Sequence, residues 1–196
     1  MKKIVLGSTS PFRKSLLEKL AIPFDCDKPE IDESPLINEA PETLVERLAI
    51  EKAKAVANRH ANALIIASDQ IALHNGNILG KPHTVENAVK QLQGFSGNKV
   101  TFLTSLCLYC SETSNYKVIV EPFYVFFKQL SLSQINYYLD KEMPLNCAGS
   151  FKSEGLGITL FEKLQGDDPN TLIGLPLIKL THMLNEFGFD VLKHND

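Results

Sequence analysis

The part of the sequence that most constrains the fold is residues 64–81, LIIASDQIALHNGNILGK. Its first four residues are apolar and are followed at once by the Ser-Asp-Gln of residues 68–70. This predicts a buried strand that ends in a carboxylate and an amide at a sheet edge. After a second apolar run, residues 74–77 (HNGN) are typical of a tight hairpin turn, which could return Lys81 towards Asp69. A carboxylate beside a lysine suits a metal and phosphate site, although a strand capped only by solvated polar residues fits equally well.

Composition predicts an ordinary globular protein. The chain has 196 residues, 44% hydrophobic and 22% charged, so we expect a single domain over residues 1–196, in one body or two lobes. The net charge of −3 disfavours a nucleic-acid-binding surface over the whole protein. Four scattered cysteines do not suggest a disulfide framework. Neither a signal peptide nor a long apolar run is evident, so we expect a cytoplasmic protein without a membrane partner.

The start of the first predicted helix is a candidate anion site. Ser8 precedes Ser10 and Pro11, and the latter pair is typical of a helix N-terminus. Arg13 and Lys14 then place positive charge in the first turn, where it opposes the helix dipole. Solvated side chains would explain this placement, but backbone N–H groups, hydroxyls and two cations together favour a bound phosphate.

A second helix contains a lysine in its apolar stripe. Residues 41–60 carry apolar side chains at steps of three and four, and Lys52 falls among them. Such a lysine either extends its ammonium to solvent or finds an anion, for which Asp69 is our hypothesis. In the acidic segment before this helix, Glu33 is a candidate metal ligand, although acidic loops are usually only solvated.

The remaining elements follow from apolar periodicity, caps and turns. Further strands are predicted over residues 1–7, 99–110, 116–130 and 158–161, and a turn over residues 170–174. Three further helices are predicted: from Thr84 to before Gly94, from the capping box at Ser131 to about Glu142, and from Pro176 to Gly188. This order of elements predicts a mixed α/β fold without internal repeats.

The polar residues at strand ends and helix starts indicate a site for a polyphosphate and a divalent metal. Cations offset charge on phosphates, and carboxylates can hold Mg²⁺ and orient or deprotonate an attacking water. The sequence contains neither a Walker A loop nor a GxGxxG motif, so P-loop and Rossmann folds lack support.

Several ordered motifs resemble the Maf family of nucleoside triphosphate pyrophosphatases over essentially the whole chain. They are residues 8–17 (STSPFRKSLL), 51–53 (EKA), 68–70 (SDQ), 80–82 (GKP) and 174–176 (GLP). The resemblance implies an elongated mixed α/β sheet in two lobes with a deep cleft, as in inosine triphosphate pyrophosphatases. It also implies hydrolysis of a nucleoside triphosphate between its α and β phosphates, a divalent cation such as Mg²⁺ or Mn²⁺, and a homodimer.

The resemblance also implies roles for individual residues. Asp69 matches the proton acceptor that activates water, and Glu33 matches an acidic position suited to the metal, which Asp69 could also bind. The positions that match the phosphate cleft are Ser8, Arg13, Lys14, Lys52 and Lys81.

Three positions differ from the broader family and are similar to its 7-methyl-GTP pyrophosphatase subgroup: Phe12, Gln70 and Glu154. A 7-methylated guanine is cationic, so stacking on an aromatic ring adds about 0.5–2 kcal/mol, less for Phe than for the Trp often found in that subgroup. The carboxylate of Glu154 could accept from the guanine N1–H and amino group, and its charge favours a cationic base. Gln70 can donate to the base carbonyl.

Three other functions remain open. The same reaction could act on dTTP, UTP or modified pyrimidine triphosphates. The chain could instead be a non-catalytic nucleotide-binding regulator, because the Maf name is tied to inhibition of septum formation. A nucleic-acid-binding module is the least supported of the three, because the net charge is negative and the sequence contains no basic stripe.

Overall fold

The computed structural model describes residues 2–193. Its strands are β1 (Lys3–Leu6), β2 (Asp25–Cys26), β3 (Ala63–His74), β4 (Asn77–Leu79), β5 (Lys99–Cys110), β6 (Tyr116–Phe127) and β7 (Phe161–Gln165). Its helices are α1 (Pro11–Glu18), α2 (Pro41–Ala57), α3 (Val85–Phe95), α4 (Leu132–Glu142), α5 (Pro169–Ile173) and α6 (Leu177–Glu186). Met1, which was expected in the first strand, lies outside the described residues.

The strands form a seven-stranded mixed sheet, which confirms the predicted mixed α/β class. Their order is β2-β1-β3-β5-β6-β7, and β4 pairs with β3. Strand β1 is parallel to both β2 and β3, whereas β4 and β7 are antiparallel to β3 and β6. None of the helices between residues 2 and 193 has the length and hydropathy of a membrane span.

The chain divides into two compact units. Unit 1 contains the described residues of Met1–Asp69, Thr104–Glu121 and Asp168–Asp196, and unit 2 contains Gln70–Leu103 and Pro122–Asp167. The single domain expected over residues 1–196 stays a prediction.

In unit 1 the sheet is buried on both faces. Ile4 and Leu6 of β1 pack in one apolar cluster with residues of α1 and α6, whereas Val5 packs in a second cluster with residues of α2. The split arises because successive side chains of a strand point to opposite faces. Strands covered on both faces are apolar along their whole length, as residues 63–67 are.

In unit 2 the hairpin was predicted correctly. Strands β3 and β4 pair antiparallel, with His74 opposite Asn77. Asn75 and Gly76 both have positive φ, at 50° and 78°, as a type I′ turn requires. The core of this unit includes a group of aromatic side chains in edge-to-face or tilted contact: Phe95, Phe102, Phe127, Phe151 and Phe161.

The prediction that a strand ends at residues 68–70 is wrong. Strand β3 is twelve residues long and extends to His74, so Asp69 lies in the middle of the strand. The strand continues because residues 71–73 are apolar and residues 72–74 pair with β4. In addition, the side chains of Ser68 and Asp69 find hydrogen-bond partners inside the protein.

Other predicted boundaries also need correction. Residues 156–160 form a 3₁₀ turn and the last strand begins only at Phe161, while the expected turn at residues 170–174 is mostly the short helix α5. Helix α2 ends at Ala57, α3 includes Gly94, and β6 ends at Phe127. The N-caps at Ser10 and Thr84 and the capping box at Ser131 are confirmed.

One buried carboxylate stabilises the last two helices. Asp168 is 2% exposed, and its carboxylate accepts hydrogen bonds from the backbone N–H of Asn170 at 2.8 Å and from the backbone N–H of Ile178 at 2.8 Å. It therefore caps α5 and also satisfies the first turn of α6, whose own N-cap, Pro176, offers no side-chain acceptor.

We expect Asp168→Ala to lower the free energy of unfolding by about 3 kcal/mol, since it removes one cap and leaves two partly buried backbone N–H groups without their acceptor. Urea denaturation monitored by circular dichroism measures the change. Asp167→Ala, which removes an exposed neighbouring carboxylate, is the matched control and is expected to stay within about 0.5 kcal/mol of the wild type. Equal effects of the two substitutions would contradict the capping role.

Candidate active site

Asp69 is a buried carboxylate on the central strand of unit 1. It is 7% exposed. Its backbone is held by Ser105 of β5, whose hydroxyl accepts from the Asp69 N–H at 3.0 Å and donates to the Asp69 carbonyl at 3.3 Å. Ser105 thus satisfies backbone groups beside the carboxylate. The carboxylate is set on a rigid strand rather than on a loop.

Lys52 lies between two carboxylates. Its ammonium donates to Asp69 Oδ1 at 2.6 Å and to Glu33 Oε2 at 2.9 Å, and the residue is only 5% exposed. A buried ammonium is stable only when it is paired, and here it meets two acceptors. The group carries two negative charges and one positive charge, so it keeps a net charge of about −1.

Arg13 is fixed near the same carboxylates. Its Nε donates to the carbonyl of Gly174 at 3.0 Å, and Ser68 Oγ donates to the same carbonyl at 2.9 Å. Burial lowers the pKa of Arg13, whereas the charges of Asp69 and Glu33 raise it. The guanidinium remains charged at neutral pH in any case.

The segment before α1 is ordered by hydroxyl groups. Ser8 is buried, and its Oγ accepts from the Ser10 N–H at 3.1 Å. Ser10 in turn caps the helix by accepting from the Arg13 N–H at 3.4 Å. Phe12, in the same turn, is half-buried. Lys14 is exposed and lies 3.9 Å from Glu18, so its ammonium is not part of the group around Asp69.

The other sequence-predicted site residues belong to unit 2. Gln70 follows Asp69 on β3 and is half-buried. Lys81 is exposed in the segment after β4, and it forms no ion pair with any residue in the described part of the chain. Glu154 is exposed in the loop before residue 156, where it accepts a long hydrogen bond of 3.4 Å from Ser153.

The loop that carries Glu154 is braced by α4. Glu142 Oε1 accepts from the Leu156 N–H at 2.7 Å, and the Lys152 ammonium donates to the Glu142 carbonyl at 2.8 Å. Tyr138 accepts from the Lys152 N–H at 3.0 Å. Gly157 is packed so closely that a Cβ would lie 2.2 Å from the Lys152 carbonyl oxygen. These contacts attach the loop to α4, and Lys152 contributes two of them.

Sequence reasoning missed several of these residues. Ser105 was detectable as part of a Thr-Ser pair inside an otherwise apolar strand, which is unusual for a fully buried segment. Gly174 was noted as part of the 174–176 motif, but the role of its carbonyl as an acceptor for Arg13 and Ser68 depends on contacts far away in the sequence. The contacts of Glu142 with the loop at residues 152–156 carried no local signal.

The donor atoms of Asp69 and Glu33 fit a hard divalent cation, since Mg²⁺ and Mn²⁺ prefer carboxylate oxygens. Within residues 2–193, no group of three His, Cys, Asp or Glu side chains is placed to hold a metal. A cation bound here would therefore complete its coordination with water and with oxygen atoms of a ligand.

The chain matches the family model described as "Maf-like protein" over residues 3–187. It is 63% identical over 192 residues to a protein of Colwellia psychrerythraea (strain 34H) named "7-methyl-GTP pyrophosphatase", covering 98% of this chain and 96% of the relative. It is 58% identical over 189 residues to a protein of Pseudoalteromonas translucida (strain TAC 125) with the same name, covering 96% and 94%.

Among solved structures, the Ham1 protein of Staphylococcus aureus is similar with a TM-score of 0.45 and 18% identity, covering 64% of this chain and 72% of that chain. The family match and the two relatives each span nearly the whole sequence. The chain belongs to the Maf family.

Proposed function

We propose that this protein hydrolyses 7-methyl-GTP to 7-methyl-GMP and pyrophosphate, and so removes a non-standard nucleotide. The observation that carries the proposal is the near-full-length identity of 63% to a relative named for this activity. The site supports the same reaction, because it holds a buried carboxylate, Asp69, that is paired with Lys52 and lies close to Arg13.

In the proposed reaction, Asp69 accepts a proton from a water molecule whose oxygen attacks the α-phosphorus. The bond from that phosphorus to the α–β bridging oxygen breaks, and pyrophosphate leaves. Lys52 holds the Asp69 carboxylate in place and offsets its charge. Ser8, Arg13, Lys14, Lys52 and Lys81 are proposed to bind phosphate oxygens, where positive charge stabilises the transition state.

We propose that Glu33 and Asp69 hold a divalent cation, either Mg²⁺ or Mn²⁺. When bound, the cation would neutralise charge on the phosphates and lower the pKa of a bound water. The shared ammonium of Lys52 supports this assignment, because it shows that both carboxylates reach a common positive charge. A cytoplasmic location and a homodimer also belong to the proposal and rest on the sequence alone.

Phe12, Gln70 and Glu154 are the residues that we propose to select the base. Phe12 would stack on the cationic ring, Gln70 would donate to the base carbonyl, and Glu154 would accept from its N–H groups. The hydrogen bonds that attach the loop at Lys152 and Leu156 to α4 support the role of Glu154, because an ordered loop loses little conformational entropy when it binds a ligand.

Replacing Phe12 by Arg, Gln70 by Thr and Glu154 by Gln together is expected to lower the ratio of kcat/KM for 7-methyl-GTP over GTP by about 30-fold, from the loss of cation–π and charge-assisted contacts. Steady-state pyrophosphate release from both nucleotides measures the ratio. Glu162→Gln, which changes an exposed carboxylate, is the control. A ratio that stays the same in the triple variant would remove the assigned role of these residues.

The proposed function is tested by pyrophosphate release with Mg²⁺ or Mn²⁺ from 7-methyl-GTP, GTP, dTTP, UTP and CTP. The expected result is a strong preference for 7-methyl-GTP. Preference for a pyrimidine nucleotide would keep the reaction and overturn the base assignment. Absence of turnover with every nucleotide and metal would favour a non-catalytic nucleotide-binding regulator.

A further inference from the structure

The acidic residue Glu33 lies in a segment without regular secondary structure. Residues 27–36 form neither helix nor strand, so no ladder of backbone hydrogen bonds fixes their position. The Glu33 side chain is 57% exposed, and its carboxylate meets the Lys52 ammonium at 2.9 Å. A single ion pair whose carboxylate is largely exposed stabilises a conformation only weakly. Other contacts must hold this segment where Glu33 can reach Lys52.

Those contacts come from Arg47 of α2. Its Nε donates to Glu39 Oε1 at 2.6 Å and its Nη2 donates to Glu39 Oε2 at 2.8 Å, which is a two-bonded fork. The same Nη2 also donates to the carbonyl of Ser34 at 3.1 Å. Ser34 is the residue directly after Glu33. The guanidinium therefore connects the helix to both ends of the short segment formed by residues 34–39.

Glu39 completes this arrangement. It is almost fully buried, with 4% of its side chain exposed, and its Oε2 accepts from the Leu36 N–H at 2.9 Å. The Arg47 fork and the Leu36 amide lower the pKa of Glu39 to about 2, so the carboxylate stays ionised throughout the neutral range. On the other side of Glu33, Asp32 Oδ1 accepts from the Ser34 N–H at 2.9 Å. The backbone on both sides of Glu33 is thus ordered.

We propose that Arg47 is a positioning residue that presents Glu33 to Lys52 and Asp69, and that it thereby sets the affinity of the protein for its divalent cation. This inference rests on the metal-binding role of Glu33 in the proposed function. Arg47 also donates to Glu51 Oε2 within α2, at 3.1 Å, and among the described residues it forms no ion pair with Asp69. Its contacts with Ser34 and Glu39 are the ones that reach the segment carrying Glu33, so we infer that it acts through residues 32–39.

The test compares Arg47→Gln and Arg47→Lys with the wild type. Mn²⁺ affinity is measured without nucleotide by electron paramagnetic resonance, and the Mg²⁺ dependence of pyrophosphate release is measured separately. Arg47→Gln is expected to weaken Mn²⁺ binding about tenfold and to raise the half-saturating Mg²⁺ concentration by a similar factor. At saturating Mg²⁺, kcat is expected to stay within about twofold of the wild-type value, because the reacting groups are unchanged. The Mn²⁺ affinity of Arg47→Lys should lie between those of the wild type and Arg47→Gln, since lysine keeps the positive charge but cannot form the two-bonded fork with Glu39.

Arg59→Gln is the matched control. Arg59 makes the same kind of contacts from the turn that follows the same helix, with Nε 2.9 Å from Asp27 Oδ2 and Nη2 2.7 Å from the Lys28 carbonyl, but it holds residues several positions before Glu33. The Arg59→Gln variant is expected to bind Mn²⁺ with the same affinity as the wild type. An equal loss in Arg59→Gln would mean that the effect is general destabilisation, which would overturn the proposal.

A double-mutant cycle decides whether Arg47 acts through Glu33. In a Glu33→Gln background, Arg47→Gln should cause no further loss of Mn²⁺ affinity. A full additional loss, or an unchanged affinity in the single Arg47→Gln variant, would overturn the proposal, as would a wild-type protein that binds no Mn²⁺. If the wild type binds Mn²⁺ and the cycle behaves as expected but 7-methyl-GTP is not hydrolysed, the proposed function fails while the role of Arg47 stands.

Discussion

Asp69→Asn is expected to reduce kcat for pyrophosphate release from 7-methyl-GTP by about 10³-fold, because it removes the proposed general base and one metal ligand at once. The substitution keeps the size of the side chain, and an amide oxygen can still accept from Lys52. The backbone contacts with Ser105 do not involve the carboxylate, so they are kept. The fold should therefore survive, and the loss should be chemical.

The control for this experiment is Asp140→Asn, an equal change at an exposed carboxylate of α4, which is expected to leave kcat unchanged. Circular dichroism establishes that both variants are folded. A value of kcat in Asp69→Asn within about tenfold of the wild type would rule out Asp69 as the base. If a cellular effect of the protein survives in Asp69→Asn while hydrolysis disappears, nucleotide binding is the function and catalysis is incidental.

The sequence predicted the parts of this fold that depend on local chemistry. The type I′ turn at Asn75 and Gly76 and the capping box at Ser131 were identified because each is encoded by neighbouring residues. The end of β3 was placed too early because polar residues after an apolar run usually mark the end of a strand. Here they continue it, since Asp69 is paired internally with Lys52.

The candidate site was predictable to a similar extent. Lys52 was singled out because a lysine in an apolar helical stripe needs an anion, and the structure places its ammonium on Asp69. Lys14 had no comparable constraint, and its ammonium lies near Glu18 instead. The supporting roles of Ser105 and Arg47 depend on contacts distant in sequence or on the path of a loop. No periodicity or motif encodes such contacts.

Lys52→Met is expected to reduce kcat about 10²-fold and to lower the free energy of unfolding by about 3 kcal/mol, because it leaves the buried Asp69 carboxylate without its closest positive charge. This loss of unfolding free energy is at the lower end of the range usual for breaking a buried ion pair, since the Glu33 side chain remains largely exposed and can be solvated.

Lys54→Met is the matched control for Lys52→Met. Lys54 is two residues away on the same helix but exposed, with its ammonium 5.6 Å from the centre of the Tyr116 ring, so its replacement should leave kcat unchanged. The decisive comparison is the double variant Lys52→Met with Asp69→Asn, measured by urea denaturation. If the two charges stabilise each other, the double variant should be more stable than the sum of the single effects predicts, because it contains no unpaired buried carboxylate. Strictly additive effects would show that Lys52 and Asp69 are not coupled, and the role of Lys52 in holding Asp69 would be wrong.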